Sequence, residues 1–314
     1  MTETFRPTAK IICDSINEQG HRLTTMEVVM HRFILAEFNT HRVFSRNSSS
    51  SRAIPYHKMR NRVVENPAYP IFWGSEQKGM SPGGELEGVM LTNSKNSWLS
   101  ARDCAVFCAD LLHEYGLHKS LINRLIEPFM RHTAIVTATE WDNFFHQRCH
   151  PAAMPEIQAL ANAMQIAYFS SVPKEVGYGN WHLPYIKQGD REWVRRRIKS
   201  VTRYEDEITA LKQISTARCA RVSYLTHDGK RDPNVDMDLF DKLQSLGHWS
   251  PFEHVATPIN TKVPLQYDGD GPCGNFKGWN QFRKEFRNEN QTHFLPNLPE
   301  LAQIRMKLEA GRKL

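Results

Sequence analysis

The chain has 314 residues, and its 40 lysines and arginines against 34 aspartates and glutamates give a formal net charge of +6. Its 40% hydrophobic residues can build a core, and the net charge is too small for a disordered protein. The length allows two domains or one domain with insertions. Without a run of about 18 apolar residues or a signal-peptide pattern in MTETFRPTAK, we expect a cytoplasmic protein that does not bind membranes.

Hydrophobic periodicity and β-branched content predict the elements in chain order. Strands are predicted over 10–13, 22–31, 217–224 and 256–263. Helices are predicted over 96–115, over 118–130 with a bend at Pro128, from Pro155 onward, and over about 235–246. The Pro- and Gly-rich segment 66–95 is predicted to be a long surface loop. This mixture predicts an α+β fold.

The basic segment 191–203, REWVRRRIKSVTR, has two interpretations. It could form a surface for nucleic acid or phosphate, or it could be a solvated helix face whose arginine stems cover the core. We favour the helix face, and we expect no nucleic-acid partner.

Two further segments concentrate polar side chains. FNTHRVFSRNSSSSRAIP at 38–55 combines arginines and serines, which suit an oxyanion, although a disordered serine linker is the alternative. GHWSPFEHV at 247–255 could bind a metal or another ligand, or could be a capped turn. The irregular spacing of the six cysteines predicts reduced thiols rather than a disulfide scaffold, and we predict no bound metal.

Four segments together resemble the flavin-dependent thymidylate synthases, the ThyX family. Thr40-His41-Arg42, followed by Ser50 and Arg52, stands where the family has its Arg-His-Arg signature. The other matches are Ala-Arg-Val-Ser at 220–223 with Gly-His-Trp-Ser-Pro-Phe-Glu-His at 247–254, Asn-Arg-Leu-Ile-Glu-Pro at 123–128, and the segment 143–148 with Glu-Ile-Gln at 156–158.

The order of the segments differs from that of the family, in which 220–223 and 247–254 would precede the signature. The resemblance therefore implies a circularly permuted α+β fold, with a ThyX-like mixed sheet flanked by helices. It implies one catalytic domain over 1–314, with motif segments 28–57, 115–170 and 214–260 and insertions 58–114 and 171–213.

The resemblance implies an FAD-dependent enzyme that transfers a one-carbon unit from methylenetetrahydrofolate to carbon 5 of a pyrimidine deoxynucleotide. The implied reaction converts dUMP to dTMP, with NADPH as reductant. A homotetramer with shared active sites is implied. The implied FAD-binding residues are His41, Arg42, Asn47, Asn143, His248, Ser250 and Glu253. The implied substrate-binding residues are Glu37, Ser48, Ser50, Ser51, Arg52, Arg124 and Arg148. Arg148, facing the pyrimidine, and Ser50, as a substrate contact rather than a nucleophile, are the implied catalytic residues.

Three positions depart from the family: Thr40 replaces an arginine, Ser48 a glutamate and Glu37 a glutamine. Because ionised Glu37 only accepts hydrogen bonds, whereas glutamine also donates them, a pyrimidine with an amino group is the alternative substrate. Methylation or hydroxymethylation of dCMP is therefore the first alternative. The second is a non-catalytic protein that binds nucleotides or nucleic acid.

Overall fold

The computed structural model describes residues 5–198, 206–224, 232–260 and 273–290. The strands are β1 (Thr8–Ile16), β2 (Arg22–His31), β3 (Ser45–Ser48), β4 (Arg131–Ala138), β5 (Lys174–Glu175), β6 (Ala256–Pro258) and β7 (Trp279–Gln281). The α-helices are α1 (Leu35–Asn39), α2 (Tyr56–Glu65), α3 (Gly88–Glu114), α4 (Lys119–Leu125), α5 (Asp142–Arg148), α6 (Pro155–Phe169), α7 (Gln188–Ile198), α8 (Glu207–Arg221) and α9 (Pro233–Ser245).

A five-stranded mixed sheet with the order β3-β4-β2-β1-β5 forms the centre of the described residues. β1 and β5 are parallel, and the other neighbours are antiparallel. β6 and β7 form a separate two-stranded sheet. The predicted α+β fold with a mixed sheet flanked by helices is confirmed.

One face of the central sheet is covered by α1, α5 and α6. Side chains alternate between the two faces of a strand, so Met26 and Val28 of β2 share a face with Val136 of β4. They pack with Phe144 of α5 and Leu160 of α6 in one buried cluster. Burial of this apolar surface fixes the register of β2 and β4, because a slip by one residue would turn these side chains to the other face.

The opposite face is covered by α8 with the 3₁₀ helices Val222–Tyr224 and Ser250–His254, and α9 packs against α8. Ile135 of β4 packs there against Cys219 and Val222. A third cluster joins α2, α3 and α4 beside the sheet. The protein therefore places the loop before α2 next to both the sheet and the α8 layer.

The prediction of a strand over 217–224 is wrong, because α8 continues to Arg221 and a 3₁₀ turn follows. Asp206 caps α8 by accepting a hydrogen bond from Thr209 N at 2.6 Å. The C-terminal half of α8 is buried on nearly all sides, so its sequence lacks the amphipathic helix period.

Other boundaries also differ. The predicted loop 66–95 ends where α3 begins at Gly88, and of the predicted strand 256–263 only Ala256–Pro258 is a strand, with 261–263 outside the described residues. The helix predicted over 118–130 is α4 followed by the 3₁₀ turn Glu127–Phe129, where Pro128 stops the α-helix. The strands at 10–13 and 22–31 and the helices from Pro155 and near 235–246 are confirmed. In the described part of the chain no helix has the length and apolar character needed to cross a membrane.

Candidate functional site

The side chain of Asn47 joins three of the segments that resemble the family. It lies on the edge strand β3, where its Nδ2 donates to the carbonyl oxygen of Cys219 at 2.8 Å. Its Oδ1 accepts from the Ser223 hydroxyl at 3.3 Å and from the Ser250 hydroxyl at 3.4 Å. The signature loop, the Ala-Arg-Val-Ser segment and the Gly-His-Trp-Ser-Pro-Phe-Glu-His segment therefore meet at one amide group.

Hydrogen bonds hold the serine-rich loop that follows β3 in place. Ser50 N donates to Ser223 O at 2.9 Å, and the Ser49 hydroxyl is 3.0 Å from His132 Nδ1. Asn123 of α4 is buried and donates from Nδ2 to Ser51 O at 2.7 Å. These contacts disfavour the alternative of a disordered linker. The Ser50 hydroxyl has no hydrogen-bond partner among the described residues, so it is available to a ligand.

Arg148 at the end of α5 contacts the signature segment on the other side of β3. Its Nε donates to His41 Nε2 at 2.9 Å, and its Nη2 donates to Thr40 Oγ1 at 3.2 Å. The Thr40 hydroxyl donates in turn to Glu37 O at 2.6 Å. Thr40, which replaces the first signature arginine, therefore helps to orient the guanidinium group of Arg148.

His41 is neutral near pH 7. It is buried, and burial lowers its pKa to about 4, with further lowering by the positive charges of Arg148 and Arg46. Because the arginine N–H must donate, Nε2 of His41 carries the lone pair and the ring proton sits on Nδ1. Phe144 packs edge-on against this ring with centroids 4.9 Å apart. The contact leaves Arg148 as the cation of the pair.

Arg46 is a site neighbour that the sequence placed among the arginines of the segment 38–55 but not among the predicted site residues. Its half-buried guanidinium donates to Phe38 O at 3.2 Å and to His41 O at 3.4 Å. Burial lowers its pKa, and the opposite charge of Glu253 raises it in part. Arg46 and Ser48 alternate along β3 with Asn47 and so face the Arg148 side of the strand. The only sequence signal was its place as the middle arginine of the signature loop.

The two carboxylates among the predicted site residues, Glu253 and Glu37, differ in their hydrogen bonding. Glu253 Oε1 accepts from Arg283 Nη1 at 2.5 Å, and Arg283 also bonds Glu289, so a segment outside the motifs engages this residue. Glu37 of α1 has a buried Oε2 without a hydrogen-bond partner among the described residues. An unpaired buried carboxylate oxygen is costly, so this atom is a candidate acceptor for a ligand donor.

The remaining predicted site residues face solvent. Arg124 is exposed and pairs with Glu127 at 2.9 Å. The side chains of four further exposed residues form no hydrogen bond or ion pair among the described residues; these are Arg42, Arg52, Asn143 and His248. Within one chain, two groups thus form around Asn47 and around Arg148, on opposite sides of β3, and no hydrogen bond or ion pair among the described residues joins the exposed residues to the Arg148 group.

The structure also bears on two alternatives from the sequence, a metal site and a nucleic-acid surface on the basic segment. Within residues 5–198, 206–224, 232–260 and 273–290, no three or more histidines, cysteines, aspartates or glutamates form a metal-binding group. In the described part of the basic segment, Arg195 pairs with Glu207 at 2.7 Å and Arg196 donates to Glu192 O. Residues 199–203 lie outside the described residues. The intrachain contacts favour the solvated helix face.

No protein-family model and no curated protein matches the sequence. Among solved structures, the chain is similar to a UMP/dUMP methylase, PolB, from Streptomyces cacaoi bound with 5-Br UMP, with 14% identity and a TM-score of 0.41 over 52% of this chain and 89% of that chain. It is also similar to Thymidylate Synthase X from Helicobacter pylori with FAD and dUMP, with 19% identity and a TM-score of 0.32 over 47% of this chain and 67% of that chain.

Proposed function

We propose that the chain is an FAD-dependent enzyme that transfers a one-carbon unit from methylenetetrahydrofolate to carbon 5 of a pyrimidine deoxynucleotide, with dUMP as the first candidate substrate and NADPH as reductant. The observation that carries the proposal is the junction at Asn47, where segments more than 170 residues apart meet through side-chain hydrogen bonds. These are the same segments whose residue types resemble the flavin-dependent thymidylate synthases.

The exposed donors fit the chemistry of FAD and of a nucleotide. Guanidinium forks bind phosphate through two parallel hydrogen bonds, and Arg42 and Arg52 have no ion-pair partner in the described chain that would compete. We assign Arg42 to FAD, with Asn143 and His248, and Arg52 to the nucleotide phosphate. When bound, FAD would supply the hydride chemistry.

Arg148 would act on the pyrimidine through its charge. His41 and Thr40 fix two of its nitrogens, so the guanidinium is oriented before a substrate binds. A preorganised cation stabilises negative charge that develops on the ring when carbon 5 reacts. Ser50, anchored through its backbone N–H to Ser223, would donate its hydroxyl to the substrate.

The complete site would need more than one copy of the chain. Arg52 and Arg124, both assigned to the nucleotide, are exposed and form no hydrogen bond or ion pair with the Arg148 group among the described residues. A homotetramer with shared active sites would allow one copy to supply these arginines to the Arg148 group of another. In this arrangement the net positive charge of the chain serves the binding of anionic ligands.

The test is a turnover assay of the purified full chain with dUMP or dCMP, methylenetetrahydrofolate and NADPH. We expect a flavin absorption spectrum and a product methylated at carbon 5 of dUMP. Colourless protein that takes up no added FAD would contradict the proposal. If such protein bound DNA or RNA with a strong salt dependence, it would favour the nucleic-acid-binding alternative.

A second candidate substrate, dCMP, is favoured by one observation. The buried Oε2 of Glu37 lacks a donor among the described residues, and the exocyclic amino group of cytosine is a donor that uracil lacks. Product from dCMP but not from dUMP in the same assay would establish this alternative and exclude the first.

A further inference from the structure

A separate cavity of about 350 Å³ lies between α2 and the adjoining ends of β2 and β4. Val29 and Thr133, which are cross-strand partners, line it from the sheet, and Met59 and Val63 line it from α2. None of its lining residues belongs to the site described above. Its volume is that of a small-molecule site, and its walls combine apolar and polar groups as such sites do.

Among the described residues, the charged residues that line this cavity are both arginines, Arg62 and Arg131, and none is acidic. The Nε of Arg131 is buried and has no hydrogen-bond partner in the part of the chain that the structure describes. Its guanidinium lies over the ring of Phe5, 4.3 Å from the centroid, and burial lowers its pKa. An aromatic face attracts a cation but cannot accept the directed hydrogen bonds that a guanidinium offers.

The cross-strand partner of Arg131 supplies no negative charge. His31 lies directly across from Arg131 in the β2–β4 pair, and burial, followed by the charge of Arg131, keeps its pKa at about 4. His31 is therefore neutral near pH 7. Arg131 is partly buried, and its buried Nε lacks an acceptor, so a bound oxyanion that accepts from this group would lower an energetic cost.

We propose that this cavity binds a small organic oxyanion, whose charged end bonds to Arg131 and Arg62 and whose apolar body packs against Val29, Met59 and Val63. A carboxylate and a phosphate ester share this chemistry, because both present a pair of oxygens to a guanidinium fork. Asn66 and Thr133 line the same space and add hydrogen-bonding groups beside the two arginines. The inference does not depend on the proposed enzymatic function.

The test is isothermal titration of the full chain with inorganic phosphate, phenyl phosphate and benzoate. We expect one of the two aromatic anions to bind at least about ten-fold more tightly than inorganic phosphate, because only they fill the apolar part of the cavity. Whether phenyl phosphate or benzoate binds better identifies the preferred oxyanion. Arg131→Met should weaken binding at least about ten-fold. Arg195→Met is the matched control and should leave binding unchanged, because this arginine lies on α7 with its side chain 58% exposed.

Arg62→Met provides a second variant on the exposed side of α2, should Arg131→Met fail to fold. Absence of saturable binding, or equal binding by wild type and by the folded Arg131 and Arg62 variants, would overturn the proposal. A saturating concentration of dUMP separates this cavity from the proposed nucleotide site. Phenyl phosphate should still bind in its presence and to Arg148→Ala, whereas loss of binding in both would assign the probe to the nucleotide site and refute the separate cavity.

Discussion

Arg148 and His41 form the contact that links a predicted catalytic residue to a predicted cofactor residue, 2.9 Å between Nε and Nε2. We predict that Arg148→Ala lowers turnover by about 10²–10³-fold, because a preorganised charge beside the pyrimidine is lost. The pKa of His41 should rise from about 4 but stay below 6.5, since burial is the larger cause of its depression and Arg148 the next. NMR titration of the His41 ring measures this rise.

The matched control for Arg148→Ala is Arg102→Ala, whose arginine is on α3 and pairs with Asp103. It should change neither turnover nor the His41 pKa. Full turnover by Arg148→Ala would remove this residue from the site. An unchanged His41 pKa would show that the guanidinium does not lie beside the ring.

The unpaired Oε2 of Glu37 is predicted to set the preference between dUMP and dCMP. Its buried Oε2 only accepts, so Glu37→Gln, which adds a donor of the same shape, should shift the dUMP to dCMP turnover ratio at least about ten-fold toward dUMP. Steady-state assays with both nucleotides measure the ratio. Glu65→Gln on the exposed end of α2 is the control. An unchanged ratio would mean that Oε2 does not face the base.

At the scale of elements, α8 shows where sequence patterns fail. Local periodicity identifies α6 and α9 because each has one buried and one more exposed side, but α8 is enclosed by the sheet and other helices. A buried helix and a buried strand are both nearly continuous in apolar and small residues, so β-branched content alone gave the wrong element. The 27-residue length of α3 was also missed, since its first turns are exposed and bear no apolar pattern.

Buried ion pairs connect α8 to α7 and α9. Arg218 Nε donates to Asp236 Oδ2 at 2.9 Å, Arg221 donates to Asp236 Oδ1 at 2.7 Å, and Arg218 also pairs with Asp190. Asp236 is fully buried. Asp236→Ala should lower the free energy of unfolding by about 3–5 kcal/mol, because two guanidinium groups lose their shared carboxylate. Urea unfolding monitored by circular dichroism measures the change.

The control for Asp236→Ala is Asp103→Ala, which breaks an ion pair whose carboxylate side chain is 63% exposed. Its effect should stay below about 1 kcal/mol, since water screens exposed charges. Equal effects of the two substitutions would show that burial of the Asp236 pairs contributes nothing to stability.

For the whole molecule, the sequence predicted the fold class and the segments that carry the candidate site, but not how those segments group. The meeting of Asn47 with Cys219, Ser223 and Ser250 depends on contacts across more than 170 residues, which no local pattern contains. The exposure of Arg52 and His248 and the capture of Glu253 by Arg283 also follow only from tertiary packing. The roles that the family resemblance assigns to these residues therefore remain predictions, and their spatial grouping comes from the structure alone.

Acid sensitivity is a property of the whole molecule, because five histidines of the described residues are buried in different parts of it. Burial lowers the pKa of His31 and His41 to about 4 and that of His132, His182 and His254 to about 3. In the unfolded chain each would titrate near 6.5, so between pH 6.5 and 4 the unfolded state binds more protons and the free energy of unfolding falls as pH falls. Near pH 5 the unfolded state should bind nearly five more protons than the folded state. The free energy of unfolding should then change by roughly 7 kcal/mol per pH unit, against a total stability of about 5–15 kcal/mol.

We therefore predict unfolding between about pH 6 and 4, detected by urea unfolding at closely spaced pH values from 7 downward. His31→Gln should reduce the difference in bound protons between the unfolded and folded states by about one, because one buried neutral ring is replaced by a group that does not titrate. His146→Gln on the exposed side of α5 is the control and should leave the slope unchanged. A slope below about two protons near pH 5 would contradict the burial of these rings as neutral groups, since protonation would then be nearly equal in the folded and unfolded states.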